Sequence, residues 1–242
     1  MLKPREGVAV LILGAGGFAH EVFAAASLFY KDFKIEDVCF VVEAGNEMNI
    51  TSDGYSVVPE EKITEFVGHR DVDCYVAIGK PSIRRKAMES IAKIFEGKIM
   101  FPPLVPPGSS IMGNTQLGQG TIIMPGSVLT VGVTLDEFAF INIGCRIGHG
   151  VWVGAYSIVN PGCVLSGDVF IGNGVYLGSS VTVLPGLSIC DDVIVGVGAV
   201  VAHSIKEPGI YVGIPAQKIK DHPENKIVSL ANKIMPIGGK MQ

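Results

Sequence analysis

The chain has 242 residues, which at roughly 100–200 residues per domain leaves room for one large domain or two small ones. Lys and Arg total 19 against 23 Asp and Glu, and a net charge of −4 with no basic block excludes the usual electrostatic case for nucleic acid. Mean hydropathy is +0.43, yet the two charge-free stretches, Ile99–Leu135 and Val169–Cys190, are broken every few residues by Gly, Pro, Ser, Thr or Asn. A lipid-exposed helix cannot hold such breaks, so both stretches read as buried structure and no membrane span is expected.

The opening MLKPREGVAVLILG has no small-residue cleavage site in the expected place, which argues against a secretory signal. Five cysteines, Cys39, Cys74, Cys145, Cys163 and Cys190, are scattered without a CxxC pair. That pattern suits reduced thiols in a cytoplasmic protein, and no metal site is expected.

Val8–Leu13 is a short apolar run ending in Gly14-Ala15-Gly16-Gly17-Phe18-Ala19 and followed by the amphipathic stretch His20–Phe29. The order reads as strand, glycine turn and helix. Such a turn serves either close strand–helix packing or the approach of a phosphate to the free N–H groups of the helix start. A second strand, Asp37–Val42, ends in Glu43, and a third, Asp73–Ile78, ends in Gly79-Lys80-Pro81. A helix from Ser82 to Phe95 follows, with Ser as its cap, and a last short strand spans Lys98–Phe101. Alternating strands and helices imply a small parallel sheet of Rossmann-like type, and Pro102-Pro103 and Pro106-Pro107 mark its end. Residues 1–103 are too few for a full dinucleotide fold, which argues against a dehydrogenase; a mononucleotide half is what the length permits.

From Val105 to Val201 every sixth residue is aliphatic, 17 in succession without a slip. The residue four places on is small or β-branched in nearly every case, as at Ser127, Val133, Ala139, Cys145, Val151 and Ser157. This is a solenoid, in which each hexad is a short strand plus a turn and its first and fifth residues point inward. Six residues between 105 and 201 carry formal charge, Asp136, Glu137, Arg146, Asp168, Asp191 and Asp192. Glycines such as Gly144, Gly150 and Gly162 fall where the chain must turn.

The hexad resembles that of the hexapeptide acyltransferases, which implies a left-handed parallel β-helix of three hexads per coil, so that residues 18 apart stack. The resemblance also implies a homotrimer, with the acyl donor bound between neighbouring subunits. A short αβ unit followed by a hexapeptide solenoid is similar to the nucleotide-sugar acetyltransferases that N-acetylate amino-sugars such as bacillosamine or perosamine precursors. Relatives of sialic acid O-acetyltransferase type share the same order. The implied activity is acetyl transfer from acetyl-CoA to the amino group of a nucleotide-linked amino-deoxysugar; the alternatives are O-acetylation and a non-catalytic nucleotide-sugar sensor. By the same resemblance Gly14, Gly16 and Gly17, with Phe18 beside them, meet the nucleotide-sugar phosphates. Glu43 reads the base, and Gly79 and Lys80 close the pocket. The resemblance divides the chain into a nucleotide-sugar unit, 1–103, an acetyl-CoA-binding β-helix, 104–220, and a C-terminal helix or tail, 221–242.

His149 lies in Ile141-Asn-Ile-Gly-Cys-Arg-Ile-Gly-His149, which matches the family segment Ile-Asn-x-Gly-x-x-Ile-x-His that holds its general base. An amine attacking a thioester must lose a proton, and an imidazole is suited to take it. Gly167, 18 residues on, leaves room for the thioester and turns an N–H toward the developing oxyanion. Asn142 matches an asparagine near the reacting amine, although with Asn160 it equally reads as a ladder that satisfies backbone. Relatives often place an acid before the base to orient it; here Gly148 stands there, with Asp168 as a substitute source. Lys218 and Lys220, in a closing Gly-Ile-Pro-Ala-Gln-Lys-Ile segment, match a region near the coenzyme A adenine and are expected to meet its 3′-phosphate.

Overall fold

The computed structural model describes residues 7–30, 34–43, 45, 49–50, 54–96 and 99–221. The expected C-terminal helix over residues 223–235 lies outside the described residues.

The N-terminal unit is a six-stranded sheet in the order β3-β4-β2-β1-β5-β6. Its strands are β1 (Ala9–Leu13), β2 (Val38–Val42), β3 (Asn49–Ile50), β4 (Ser56–Pro59), β5 (Val72–Val76) and β6 (Ile99–Met100). Pairing is parallel except for β3, which runs antiparallel to β4. Strand β1 is buried along its whole length, as the continuous apolar run requires in a sheet covered on both faces. Helix α1 (Gly17–Phe29) starts inside the glycine segment, earlier than His20, because Gly16 already accepts hydrogen bonds from the N–H groups of Ala19 and His20. Helix α3 (Pro81–Ile94) begins at Pro81, with Lys80 at the cap position and no side-chain cap. The expected Ser82 cap is thus corrected. Proline fits the first helical position because its N–H would have no partner there in any case. Strands β3 and β4 and the short helix α2 (Ile63–Val67) fill a stretch to which the sequence assigned nothing.

From Ser110 onward, two-residue strands repeat at the sixth and first hexad positions and stack 18 apart, as in Val128↔Arg146 and Arg146↔Val164. They form three parallel sheets. The first face holds Val128–Leu129, Arg146–Ile147 and Val164–Leu165; the second holds Thr134–Leu135, Trp152–Val153 and Phe170–Ile171; the third holds Ile122–Ile123, Phe140–Ile141 and Ile158–Val159. This is a left-handed parallel β-helix beside an αβ unit, as expected.

The inward first and fifth positions build one core from Ile123 to Ile205. Two fifth-position hydroxyls are buried there and stay paired: Ser127 Oγ donates to the Asn142 carbonyl (2.7 Å) and Ser157 Oγ to that of Gly172 (2.7 Å). The fourth hexad position carries the left-handed backbone of each turn, including the non-glycines Phe138 (φ 56°), Tyr156 (φ 60°) and Asp168 (φ 58°).

The two units share packing. On the third face Ile122, Phe140 and Ile158 point outward yet are buried, because they pack with residues of α1, β1 and β2. The first and second faces remain uncovered by the N-terminal unit, and Trp152 and Phe170 are exposed on the second.

Candidate active site

A cleft of about 650 Å³ opens at the C-terminal ends of β1 and β2, the place where open parallel sheets bind ligands. Gly14, Val42 and Glu43 line one side, and Ile83, Lys86, Ala87 and Ser90 of α3 line the other. Ser90 Oγ donates to Glu60 Oε2 (3.0 Å), which holds a second carboxylate in the wall. Gly14 and Glu43 thus meet in one cleft.

The glycines of the turn differ in what they do. A Cβ on Gly14 would stand 2.9 Å from the Ala77 carbonyl oxygen, and its φ is +111°, so the fold itself demands glycine there. A Cβ on Gly16, Gly17 or Gly79 would meet nothing within 4 Å. Internal packing does not explain these three. Phe18 packs against Phe140 of the solenoid, with centroids 4.8 Å apart and edge to face, so it joins the two units. Lys80 caps α3 beside the cleft but is not part of its lining. Lys86, Glu60 and Ser90 went unread in the sequence; the helical spacing 83, 86, 87 and 90 marks one face of α3, but which face meets the cleft depends on the packing.

His149 occupies the corner between the first and second faces of the solenoid. Its side chain is 64% exposed, and Nδ1 stands 3.6 Å from Asp168 Oδ1. That separation is an ion-pair distance and too long for a hydrogen bond. The Asp168 N–H donates to the His149 carbonyl (2.8 Å), which ties the two turns together. Gly167 lies beneath the imidazole: a Cβ there would collide with His149 Cε1 and Nε2. The space at Gly167 is filled by the imidazole itself.

Gly148 is explained by the same stacking. A Cβ on it would stand 2.7 Å from the Gly167 nitrogen and 2.8 Å from the Ser166 carbonyl carbon. A side chain before His149 would force this backbone to shift, and the carboxylate beside the ring is that of Asp168 on the next coil. Gly150 completes the fit, since a Cβ there would collide with Asp168 Oδ1.

Beside this corner a groove of about 420 Å³ runs along the first face, lined by Val128, Thr130, Arg146, Gly148, Val164 and Ser166. Arg146 is the cation of this otherwise apolar strip.

Asn142 sits at the preceding corner, separated from His149 by the strand Arg146–Ile147, and is 5% exposed. Its Oδ1 accepts from the Ile143 N–H (2.8 Å), and Asn160 Nδ2 donates to the Leu177 carbonyl (2.6 Å). The pair satisfies backbone, and within one chain Asn142 is not brought to His149. Lys218 Nζ is held by Asp221 (2.9 Å) and Glu207 (3.3 Å), and these carboxylates, Asp221 first, raise its pKa. Lys220 is exposed in the closing strand Gln217–Lys220. Among the described residues, no group of three or more His, Cys, Asp or Glu could hold a metal ion, and no helix is long and apolar enough to cross a membrane.

Residues 9–91 match the family model of the PglD N-terminal domain. The N-terminal unit is similar to that domain over this stretch. A search of curated proteins returned no match to the chain. Among solved structures, the acetyltransferase domain of PglB from Neisseria gonorrhoeae FA1090 in complex with acetyl coenzyme A is similar, with a TM-score of 0.78 and 22% identity. That alignment covers 88% of this chain and 100% of the other. A mutant of perosamine N-acetyltransferase from Caulobacter crescentus, in complex with CoA and GDP-perosamine, has a TM-score of 0.75 and 24% identity over 88% of this chain and 97% of the other. The PglD-type domain and the solenoid behind it therefore share a fold with both structures along nearly their whole length.

Proposed function

We propose that this protein transfers the acetyl group of acetyl-CoA to the amino group of a nucleotide-linked amino-deoxysugar, with His149 as general base. The observation that carries the reading is the joint presence of the cleft at Gly14 and Glu43 and of the exposed His149–Asp168 pair on the adjoining solenoid. Proteins of the same fold have been crystallised with acetyl coenzyme A, and with CoA plus GDP-perosamine. The PglD-type domain holds the nucleotide sugar: Gly16 and Gly17 admit its phosphates to the backbone, and Glu43 addresses the base. The solenoid, residues 104–220, holds the acetyl donor.

The acceptor amine attacks the thioester carbonyl, forming the C–N bond and a tetrahedral oxyanion. His149 removes the amine proton, with the Asp168 carboxylate standing on its Nδ1 side. With Nδ1 turned to Asp168, Nε2 is the nitrogen that faces the acceptor. Collapse of the oxyanion breaks the C–S bond, and the departing thiolate of CoA takes up the proton that His149 removed, which restores the neutral imidazole. Gly148 is glycine because the neighbouring coil leaves no space for Cβ, so its identity says nothing against catalysis.

The uncovered apolar strips of the first and second faces, including Trp152 and Phe170, support a homotrimer in which Asn142 of one subunit can approach His149 of another. Lys220, and Lys218 if freed from its carboxylates, serve the coenzyme's 3′-phosphate.

A thiol-release assay with acetyl-CoA and UDP-, dTDP- and GDP-linked amino-sugars tests the reading. Turnover with one of them is expected. Turnover of a hydroxyl acceptor alone would replace it with O-acetylation. Calorimetric binding of a nucleotide sugar without any heat from coenzyme A would replace it with a sensor.

A further inference from the structure

Helix α3 has two working faces. Ile83, Lys86, Ala87 and Ser90 line the cleft of the N-terminal unit, while Arg84 turns into the protein and is fully buried. Its Nη1 donates to the Val76 carbonyl at the end of β5, and its Nε donates to the Phe138 carbonyl in the solenoid (3.2 Å). The guanidinium lies over the Phe140 ring, 5.4 Å from the centroid, and Nη2 has no hydrogen-bond partner among the described residues. Burial lowers the Arg84 pKa to about 9. A buried cation without a carboxylate is expensive to keep, and fold stability alone is served as well by an apolar residue.

What the arginine grips is specific. Phe138 and Tyr156 are the left-handed turn residues at one corner of two successive coils, with rings stacked at 5.2 Å and 10° between planes. The neighbouring Arg85 stacks on Tyr156, 4.8 Å from the ring centroid. The coil that leaves this corner at Phe138 and returns to it at Tyr156 is the coil that carries His149. Helix α3 therefore holds both ends of the catalytic coil while its other face lines the nucleotide cleft.

We infer that Arg84, assisted by Arg85, is a positioning residue that sets the span between a nucleotide sugar in the cleft and His149. The inference rests on the proposed acetyl transfer, which gives the span its purpose. The bidentate grip on two carbonyls belonging to different units requires the guanidinium fork, so lysine cannot replace it.

The test uses the full chain with Arg84→Met, which keeps the volume and removes the donors, and with Arg84→Lys. Spin labels on Glu89→Cys of α3 and Val131→Cys, which lies on the His149 corner one coil earlier, report the span in a Cys190→Ser background. With doubly labelled chains diluted into an excess of unlabelled chains, so that each assembly carries one labelled subunit, the parent should give one narrow distance distribution, and Arg84→Met a broadened or shifted one. In the transfer assay Arg84→Met should lower kcat by about tenfold or more, the scale expected of a misplacement near 1 Å. The KM for the nucleotide sugar and the Kd of the bare nucleoside diphosphate should stay within about threefold of the parent, and Arg84→Lys should not restore kcat. An unchanged distribution, or parental kcat in Arg84→Met, overturns the inference. If Arg84→Met does not fold, the exposed Arg85→Met decides by the same two readouts, with a smaller change in the same direction. Absence of transfer by the parent would remove the proposed function, while the distances would still decide the clamp.

Discussion

His149 Nδ1 faces Asp168 Oδ1 at 3.6 Å across one coil of the solenoid, so a carboxylate beside the imidazole comes from the next turn and not from the residue before it. Asp168 can do this because its left-handed backbone (φ 58°) turns the carboxylate back toward the lower coil, over a glycine at 150. Asparagine tolerates that backbone and removes the charge. Asp168→Asn should therefore fold like the parent and lower kcat by about three- to tenfold, the modest scale of a solvent-exposed ion pair. Steady-state kinetics at low and high salt check this; the difference between parent and variant should narrow as salt screens the pair.

Gly148 and Gly167 should respond differently to the same added methyl. At Gly148 the Cβ meets backbone of the next coil, which cannot yield, so Gly148→Ala should cost about 1–3 kcal/mol of stability. At Gly167 it meets the exposed imidazole, which can swing away. Gly167→Ala should keep its melting temperature and lose activity. Thermal melts and kcat measured on both proteins separate the two effects.

The thiols should be largely silent. Cys39, Cys74, Cys145 and Cys163 are buried; burial pushes the Cys39 thiol up to about 12, and the contact with Cys145, followed by burial, raises that of Cys163. Cys190 is partly accessible. Titration with an aromatic disulfide reagent should release about one equivalent from the folded chain, slowly, and five after denaturation, the number of cysteines in the sequence. Rapid reaction of several thiols in the folded protein would contradict the packed solenoid core.

The uncovered faces predict self-association. Trp152 (43% exposed) and Phe170 (47%) stand side by side on the second face, with centroids 6.4 Å apart. Light scattering should return a trimer, and Trp152→Glu with Phe170→Glu should shift it toward monomer with loss of transfer. A stable parent monomer would remove both the trimer and the approach of Asn142 to a neighbouring His149.

The solenoid was legible because one geometric rule, apolar residues inward at the first and fifth hexad positions, repeats from Val105 to Val201 without competition from other contacts. The corner position of His149 followed from the same count. The stretch holding β3, β4 and α2 was not legible, because strands of two and four residues carry too little alternation to be told from loop. Gly148 looked like a missing acid until the backbone of Ser166 and Gly167 showed why no side chain fits. Arg84 gave no signal, since an arginine on a helix reads as solvent-facing unless the unit packed against it is known. Lys218 read as a free cation, and only the folded closing segment sets Glu207 and Asp221 beside it.

The most direct test is the transfer rate of His149→Ala with acetyl-CoA and the nucleotide-linked amino-sugar that the parent accepts. The side chain is exposed at a corner and takes no part in the inward stack at Ile147 and Val151, so the melting temperature should not change. Nucleotide-sugar binding should also persist, because the cleft at Gly14 and Glu43 lies in the other unit. The kcat should fall by roughly 10²–10⁴-fold, the contribution of a positioned base. A folded His149→Ala protein that turned over at close to the parental rate would contradict the account, leaving catalysis to positioning alone.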